Sequence, residues 1–285
     1  MRSKLFVPGS RPELFGKALA SEADAISIDL EDAVVESRKA QARTEVAAFL
    51  QSAEARSSRK AIIVRINAVD TPHFEADVHA IARVGVALLN LPKVESPEHI
   101  HAAIAILNRV ETDIRIHEPI GLLVNIETPK GLRYASDIAA AHPRVAGLQL
   151  GYVDLFDSLG IERRDAANVH ALMFAVRIAA GQAGKFAYDG AFADVPDVQG
   201  FRAEAQMARR LGYWGKSCIH PTQIELANEV FHPGAEDIAY ARRVVQASRE
   251  AASRGVGAFV LDGRMIDAPS IRRAEAIVAA SLTSD

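Results

Sequence analysis

Short aliphatic runs alternate with amphipathic stretches along most of the chain. Runs rich in Ile, Val, Leu and Ala occupy residues 25–32, 61–67, 86–93, 120–126 and 145–151, and each closes on polar or turn-forming residues. Parallel strands buried on both faces read this way, because neither face needs to alternate with polar residues. Three weaker segments complete the series: 5–9, broken by Pro8-Gly9, then 185–192 and 214–220. Between them, apolar residues recur at helical spacing and predict helices over 13–20, 37–50, 74–83, 97–110, 132–141, 168–183 and 199–211. A Ser/Arg/Lys-rich loop precedes Ala61, and the stretch after Asp154 reads as a linker. Eight strand–helix repeats predict a closed (β/α)8 TIM barrel. An open doubly wound sheet is the weaker choice, since no glycine-rich dinucleotide loop follows an early strand.

Past His220 the alternation stops. Helices are predicted over 223–230 and 237–254, then a hairpin over 258–269 that turns on Asp262-Gly263, then a helix over 270–282. The expected organisation is a barrel domain over 1–232 and a C-terminal extension over 233–285.

Composition narrows the function classes. The chain has 285 residues, 49% of them hydrophobic, which is enough for one barrel-sized core. A net charge of -3 gives no basic surplus for nucleic acid or an anionic membrane, so neither is an expected partner. Cys218 is the single cysteine and lies in an apolar run, so it reads as a buried thiol in a reducing compartment. No apolar stretch approaches a membrane span. A cytoplasmic protein is the expectation.

The chemistry concentrates where strands end, which in a β/α barrel is the catalytic face. The segments around 120–127 and 145–154 would place two neighbouring strands side by side, each delivering a carboxylate: Glu127 and Asp154. Two such oxygen donors suit a hard cation such as Mg²⁺; the other reading is that each caps the helix that follows it. Glu31 and Asp32 stand after the second strand, either accepting hydrogen bonds from metal-bound water or capping a helix and pairing with Arg38 or Lys39. Arg65 is the natural clamp for a substrate carboxylate, or else a standing partner of Glu31 or Asp32. Gly151 and the residues after it read as an anion nest of free amides before a helix. Lys93 reads as structural or CoA-facing rather than as a Schiff-base lysine, Lys216 as too near the start of its strand for catalysis, and His220 as a loop-holding residue rather than a base.

The segments RSKLFVPGS (2–10), DLEDAVVESRKAQAR (29–43), VRIN (64–67), LPKVE (91–95), NIETPKG (125–131), LGYVDL (150–155), GKSCIHPTQI (215–224), NEVFHP (228–233) and DGRMIDAPSIRRAE (262–275) together resemble the CitE-like branch of the HpcH/HpaI aldolase/citrate lyase superfamily. The resemblance runs in order over nearly the whole chain. It implies a Mg²⁺- or Mn²⁺-dependent carbon–carbon lyase that cleaves a hydroxyacyl-CoA, such as citramalyl-CoA or malyl-CoA, into a small ketoacid and an acyl-CoA. It further implies that Glu127 and Asp154 hold the metal and that Arg65 grips the ketoacid. Asp267, which the residues alone identify as a helix cap, would act at a neighbouring subunit's site in a homotrimer or dimer of trimers. Tyr152 stands where a smaller residue is usual, a departure that bears on substrate size. A citryl-carrier lyase β subunit, a malyl-CoA thioesterase, a CoA-independent ketoacid aldolase and a non-catalytic CoA- or ketoacid-binding protein are the competing functions.

Overall fold

The computed structural model describes residues 1–116 and 118–282. Eight parallel strands form one sheet: β1 (Ser3–Pro8), β2 (Ala25–Asp29), β3 (Ala61–Arg65), β4 (Val86–Leu91), β5 (Gly121–Ile126), β6 (Val145–Leu150), β7 (Phe186–Tyr188) and β8 (Lys216–Cys218). Their order is β7-β6-β5-β4-β3-β2-β1-β8. A parallel bridge between Asp189 and Lys216 joins the two ends, with Asp189 N–H on Gly215 O at 2.9 Å and Ser217 N–H on Asp189 O at 3.1 Å. The sheet is therefore a closed TIM barrel, as the alternating pattern predicts. β2 is buried at every position and β5 at all but its first, which is why both read as unbroken apolar runs.

The barrel interior is partly polar. Lys4 on β1 hydrogen-bonds Gln149 on β6, two strands that are not neighbours, so the contact spans the lumen. Burial holds the Lys4 amine well below its usual pKa. Asn90 on β4 donates to Asn125 Oδ1 on β5 at 2.7 Å, starting a chain of amides that leads to Glu127.

The helices start where the chain supplies caps. Thr128 accepts from Gly131 N–H with Pro129 at the first helical position, and Asp165 and Asp197 cap Ala166–Gln182 and Val198–Arg210. Three expectations need correction. The linker after Asp154 is shorter than expected: the helix Tyr152–Leu159 takes its first five residues and closes on Gly160 in the left-handed region at φ 65°, leaving 160–165 as the connection. The helix expected over 132–141 is two short ones, Pro129–Arg133 and Ala135–Ala140, broken at Tyr134. The loop before β3 contains the short helix Ala53–Ser57.

The chain divides into two compact units, Met1–Glu229 and a second from Val230 onward. The second holds helices Ala235–Ser253 and Ala268–Leu282 and the antiparallel hairpin β9 (Phe259–Leu261) and β10 (Arg264–Ile266). Asp262 and Gly263, at φ 52° and 76°, make the tight primed turn that Asp-Gly favours. Ala241, Val244, Ile266 and Ala274 form its core. On the outer face, the cross-strand partners Val260 and Met265 are 71% and 73% exposed. Among the described residues, no helix is long and apolar enough to cross a membrane.

Candidate active site

β5 and β6 are paired with Ile126 opposite Leu150, so the chain leaves both strands at one point of the barrel rim. Glu127 follows the first strand and is 2% exposed. Its Oε1 accepts the Lys93 amide at 2.7 Å and its Oε2 accepts Asn125 Nδ2 at 3.1 Å. Burial pushes the Glu127 carboxyl up to about 6; Arg65 and the Lys93 amide oppose that shift, and the charge of Asp154 adds to it. Asp154 lies in the first turn of helix Tyr152–Leu159 and is exposed. It is thus carried by a helix rather than by the strand end, but close enough to act on Glu127 electrostatically.

Gly151 has a steric role. A Cβ there would fall on Oε2 and Cβ of Glu127, so only a hydrogen leaves room for the glutamate. The Gly151 N–H is not free for an anion, since it donates to Ile126 O at 3.1 Å. The donors left over are the first-turn amides of the helix itself, which α-helical geometry leaves without intrahelical partners.

A second cluster surrounds Arg65. In the β2–β3 ladder Arg65 is opposite Asp29, and its Nε and Nη2 donate to the two Asp29 oxygens at 2.7 and 2.6 Å. Nη1 is 3.0 Å from Glu31 Oε2 and 3.6 Å from Asp32 Oδ2. Lys93 Nζ completes the cluster at 2.6 Å from Glu31 Oε1 and 3.2 Å from Asp32 Oδ1. The triplet of acids therefore pairs with Arg65 and Lys93, not with Arg38 or Lys39. Lys39 instead donates to the carbonyls of Leu30 and Glu31 and to Asn67 Oδ1, fixing the loop backbone. Burial pushes the Glu31 carboxyl up to about 7 against the pull of Arg65 and Lys93. Above this cluster lies a cavity of about 410 Å³ bordered by Phe6, Asp29, Asp32, Arg65, Ala191 and Ile219.

Charge decides what this rim can hold. Asp29, Glu31, Asp32, Glu127 and Asp154 are five acids; Arg65, Lys93 and Lys39 are three bases. With all ionised, two negative charges are left over. Among the described residues no three His, Cys, Asp or Glu side chains are grouped to hold a metal, which disfavours a closed zinc-type site. A hard dication that keeps several waters and takes one or two carboxylates fits Glu127 and Asp154.

A family model described as HpcH/HpaI aldolase/citrate lyase matches residues 2–221. The chain belongs to that family. The L-malyl-CoA/beta-methylmalyl-CoA lyase of Cereibacter sphaeroides (strain ATCC 17025 / ATH 2.4.3) is 36% identical over 298 residues, covering 97% of this chain and 93% of the relative. The citrate lyase subunit beta of Haemophilus influenzae is 35% identical over 281 residues, covering 97% and 95%. The crystal structure of CitE from Mycobacterium tuberculosis, in complex with magnesium, acetoacetate and coenzyme A, superposes with a TM-score of 0.76 at 32% identity and covers 99% of both chains.

The remaining candidates of this HpcH/HpaI-family chain each have partners of their own. Lys216 is fully buried on Asp189 and Glu204 at 2.6 and 2.7 Å. Burial pushes the Cys218 thiol up to about 12, and His220 Nδ1 pairs with Thr222 Oγ1 at 2.9 Å. Tyr152 does not narrow the cavity: its ring is buried and its hydroxyl donates to Asp189 at 2.6 Å. Asp267, in the second unit, accepts from Ser270 N–H and Oγ at 3.2 and 2.8 Å and so caps the last helix. Sequence reasoning missed Asp29 as the main partner of Arg65, because only the strand register brings the two together.

Proposed function

We propose that this chain is a Mg²⁺-dependent carbon–carbon lyase that cleaves a hydroxyacyl-CoA of the malyl-CoA class into a small ketoacid and an acyl-CoA. The observation that carries the reading is the acid-rich rim, five acids to three bases, where Glu127 is buried beside Asp154. The kinship with malyl-CoA lyases and with magnesium- and coenzyme A-bound CitE supports the same chemistry. Held by Glu127 and Asp154, Mg²⁺ (or Mn²⁺) would supply Lewis-acid stabilisation for negative charge growing on the ketoacid oxygen.

The chain's own residues supply orientation and protons. Asp29 takes two of the five guanidinium N–H groups of Arg65 and Glu31 faces Nη1 as an ion pair at 3.0 Å, so the guanidinium keeps N–H groups for a substrate carboxylate. The first-turn amides of Tyr152–Leu159 offer further donors to an anion. Cleavage passes the proton of the substrate hydroxyl to a base, breaks the adjacent carbon–carbon bond and leaves a thioester enolate whose carbon takes a proton back, so the reaction is proton-neutral overall. We assign that last proton to Asp267 of a neighbouring copy in a homotrimer; the exposed pair Val260 and Met265 beside it supports a surface covered by another chain. Glu31 and Asp32, tied to Arg65 and Lys93, would accept hydrogen bonds from water at the cation.

The citrate lyase relatives favour one second reading, a citryl thioester on a carrier protein. The test is a screen of hydroxyacyl-CoA and carrier-bound thioesters with Mg²⁺, with the ketoacid and free CoA assayed separately. Ketoacid without free CoA supports the lyase, free CoA supports thioester hydrolysis, and no turnover of any thioester overturns the proposal.

A further inference from the structure

Five side chains behind the rim close a ring. Tyr152 donates to Asp189 Oδ1 at 2.6 Å, and Asp189 Oδ2 takes Lys216 Nζ at 2.6 Å. Lys216 also donates to Glu204 Oε1 at 2.7 Å. Arg163 grips both Glu204 oxygens at 2.7 and 2.9 Å, and its guanidinium lies 4.1 Å from the centroid of the Tyr152 ring. Two cations face two anions, so the ring is neutral. It joins β8, the residue after β7, helix Val198–Arg210, the loop at Arg163 and the first turn of Tyr152–Leu159. A buried ion-pair network adds little net stability compared with apolar packing, so holding these segments in one arrangement is its physical effect.

Gly190 is an independent sign that the Tyr152 ring is held in place. A Cβ at Gly190 would lie 2.7 and 2.8 Å from two Tyr152 ring atoms and 2.6 Å from Leu150 O. The ring is thus wedged between the Gly190 backbone and the Arg163 guanidinium. Two residues further along the same turn stands Asp154, whose carboxylate has no hydrogen-bonded tether among the described contacts, while Glu127 is fastened by two donors.

We infer that Tyr152 is a positioning residue: its bond to Asp189 sets the orientation of the first helical turn and so where Asp154 stands relative to Glu127. This rests on reading Glu127 and Asp154 as the cation site. The ring of five places the least constrained of the two acids without touching it.

The test is Tyr152→Phe in the full chain, which removes one hydroxyl and keeps the aromatic ring on Arg163. Asp189 Oδ1 still accepts Gly190 N–H at 2.8 Å, so the variant retains a bonded carboxylate. Mn²⁺ is titrated into the protein and free Mn²⁺ read by electron paramagnetic resonance, with thermal unfolding recorded on the same samples. Tyr152→Phe is expected to bind Mn²⁺ about tenfold more weakly. Gly190→Ala, which presses on the ring from the other side, is expected to do the same. Val176→Ala, a core truncation in helix Ala166–Gln182, should lower the melting temperature and leave Mn²⁺ affinity unchanged. Wild-type affinity in Tyr152→Phe, or an equal loss in Val176→Ala, overturns the inference. Wild-type protein that binds no Mn²⁺ overturns the cation reading itself, a separate outcome that takes the inference with it.

Discussion

The Lys93 amide donates to Glu127 Oε1 at 2.7 Å from a residue whose own φ is 50°. Left-handed backbone costs a non-glycine residue about 1 kcal/mol, and here it turns an amide from the end of β4 onto the acid of the next strand. The same residue's Nζ holds Glu31. Lys93→Gly separates the two functions. It keeps the amide, eases the backbone and removes the ammonium, so Glu127 should stay in place while the Glu31 carboxyl climbs above about 7. Carbon-detected NMR titration of the glutamate carboxyls checks this; an unmoved Glu31 would show that Lys93 does not govern it.

Glu127→Gln keeps shape and burial but removes the charge. Mn²⁺ affinity should fall by roughly 100-fold or more, at or beyond the upper end seen when outer partners of a metal are removed. Lyase turnover should vanish and circular dichroism should stay that of the wild type. Metal-dependent turnover in this variant would remove Glu127 from the site.

Gly151→Ala tests packing rather than charge. The added methyl competes with the Glu127 side chain for the same space. Overpacking of this kind costs about 1–3 kcal/mol, and the easiest relief is displacement of Glu127. Turnover should fall with only a moderate loss in urea midpoint; full activity would mean that the glutamate has a second acceptable position.

The raised carboxyls set a pH dependence with a definite sign. Glu127 at about 6 and Glu31 at about 7 both lie above the ordinary 4.5. Between those values the folded chain retains protons that the unfolded chain has released, so stability falls as pH rises through the window. A cation binds the deprotonated form, so its stabilising effect must grow over the same interval. Melting temperatures in EDTA and in excess Mg²⁺ should diverge from about pH 5 to about pH 8; parallel curves would refute the coupling.

Asp267→Asn distinguishes a cap from a catalyst. Asn caps helices about as well as Asp, so the second unit should keep its stability. If Asp267 serves a neighbouring copy's site, turnover should fall with Mn²⁺ affinity intact. Unchanged turnover leaves Asp267 with capping alone.

Legibility in the sequence followed burial. β2 and β5 stand out because both faces are covered, and Glu127 is visible as the first polar residue past such a run. Helix Tyr152–Leu159 escaped notice because it begins at Gly151 with no side-chain cap and its apolar residues continue the run of β6. The pairing of Arg65 with Asp29 depends on ladder register, which no local pattern encodes. Tyr152, Asp189, Glu204 and Lys216 are scattered along the chain: pairing of β6 with β7 brings the first two together, and closure of the barrel brings Asp189 to Lys216.

The barrel pairs β1 with β8, strands far apart in the chain. β1 gains β2 early, but its other flank has no partner until Lys216–Cys218 has left the ribosome. Through most of synthesis that flank is an open template on which another nascent chain could add a strand. β1 carries its own deterrents, a charge at Lys4 and a missing donor at Pro8. The lysine that ends up bonded across the lumen to Gln149 thus also puts a charge on a strand whose edge is still open.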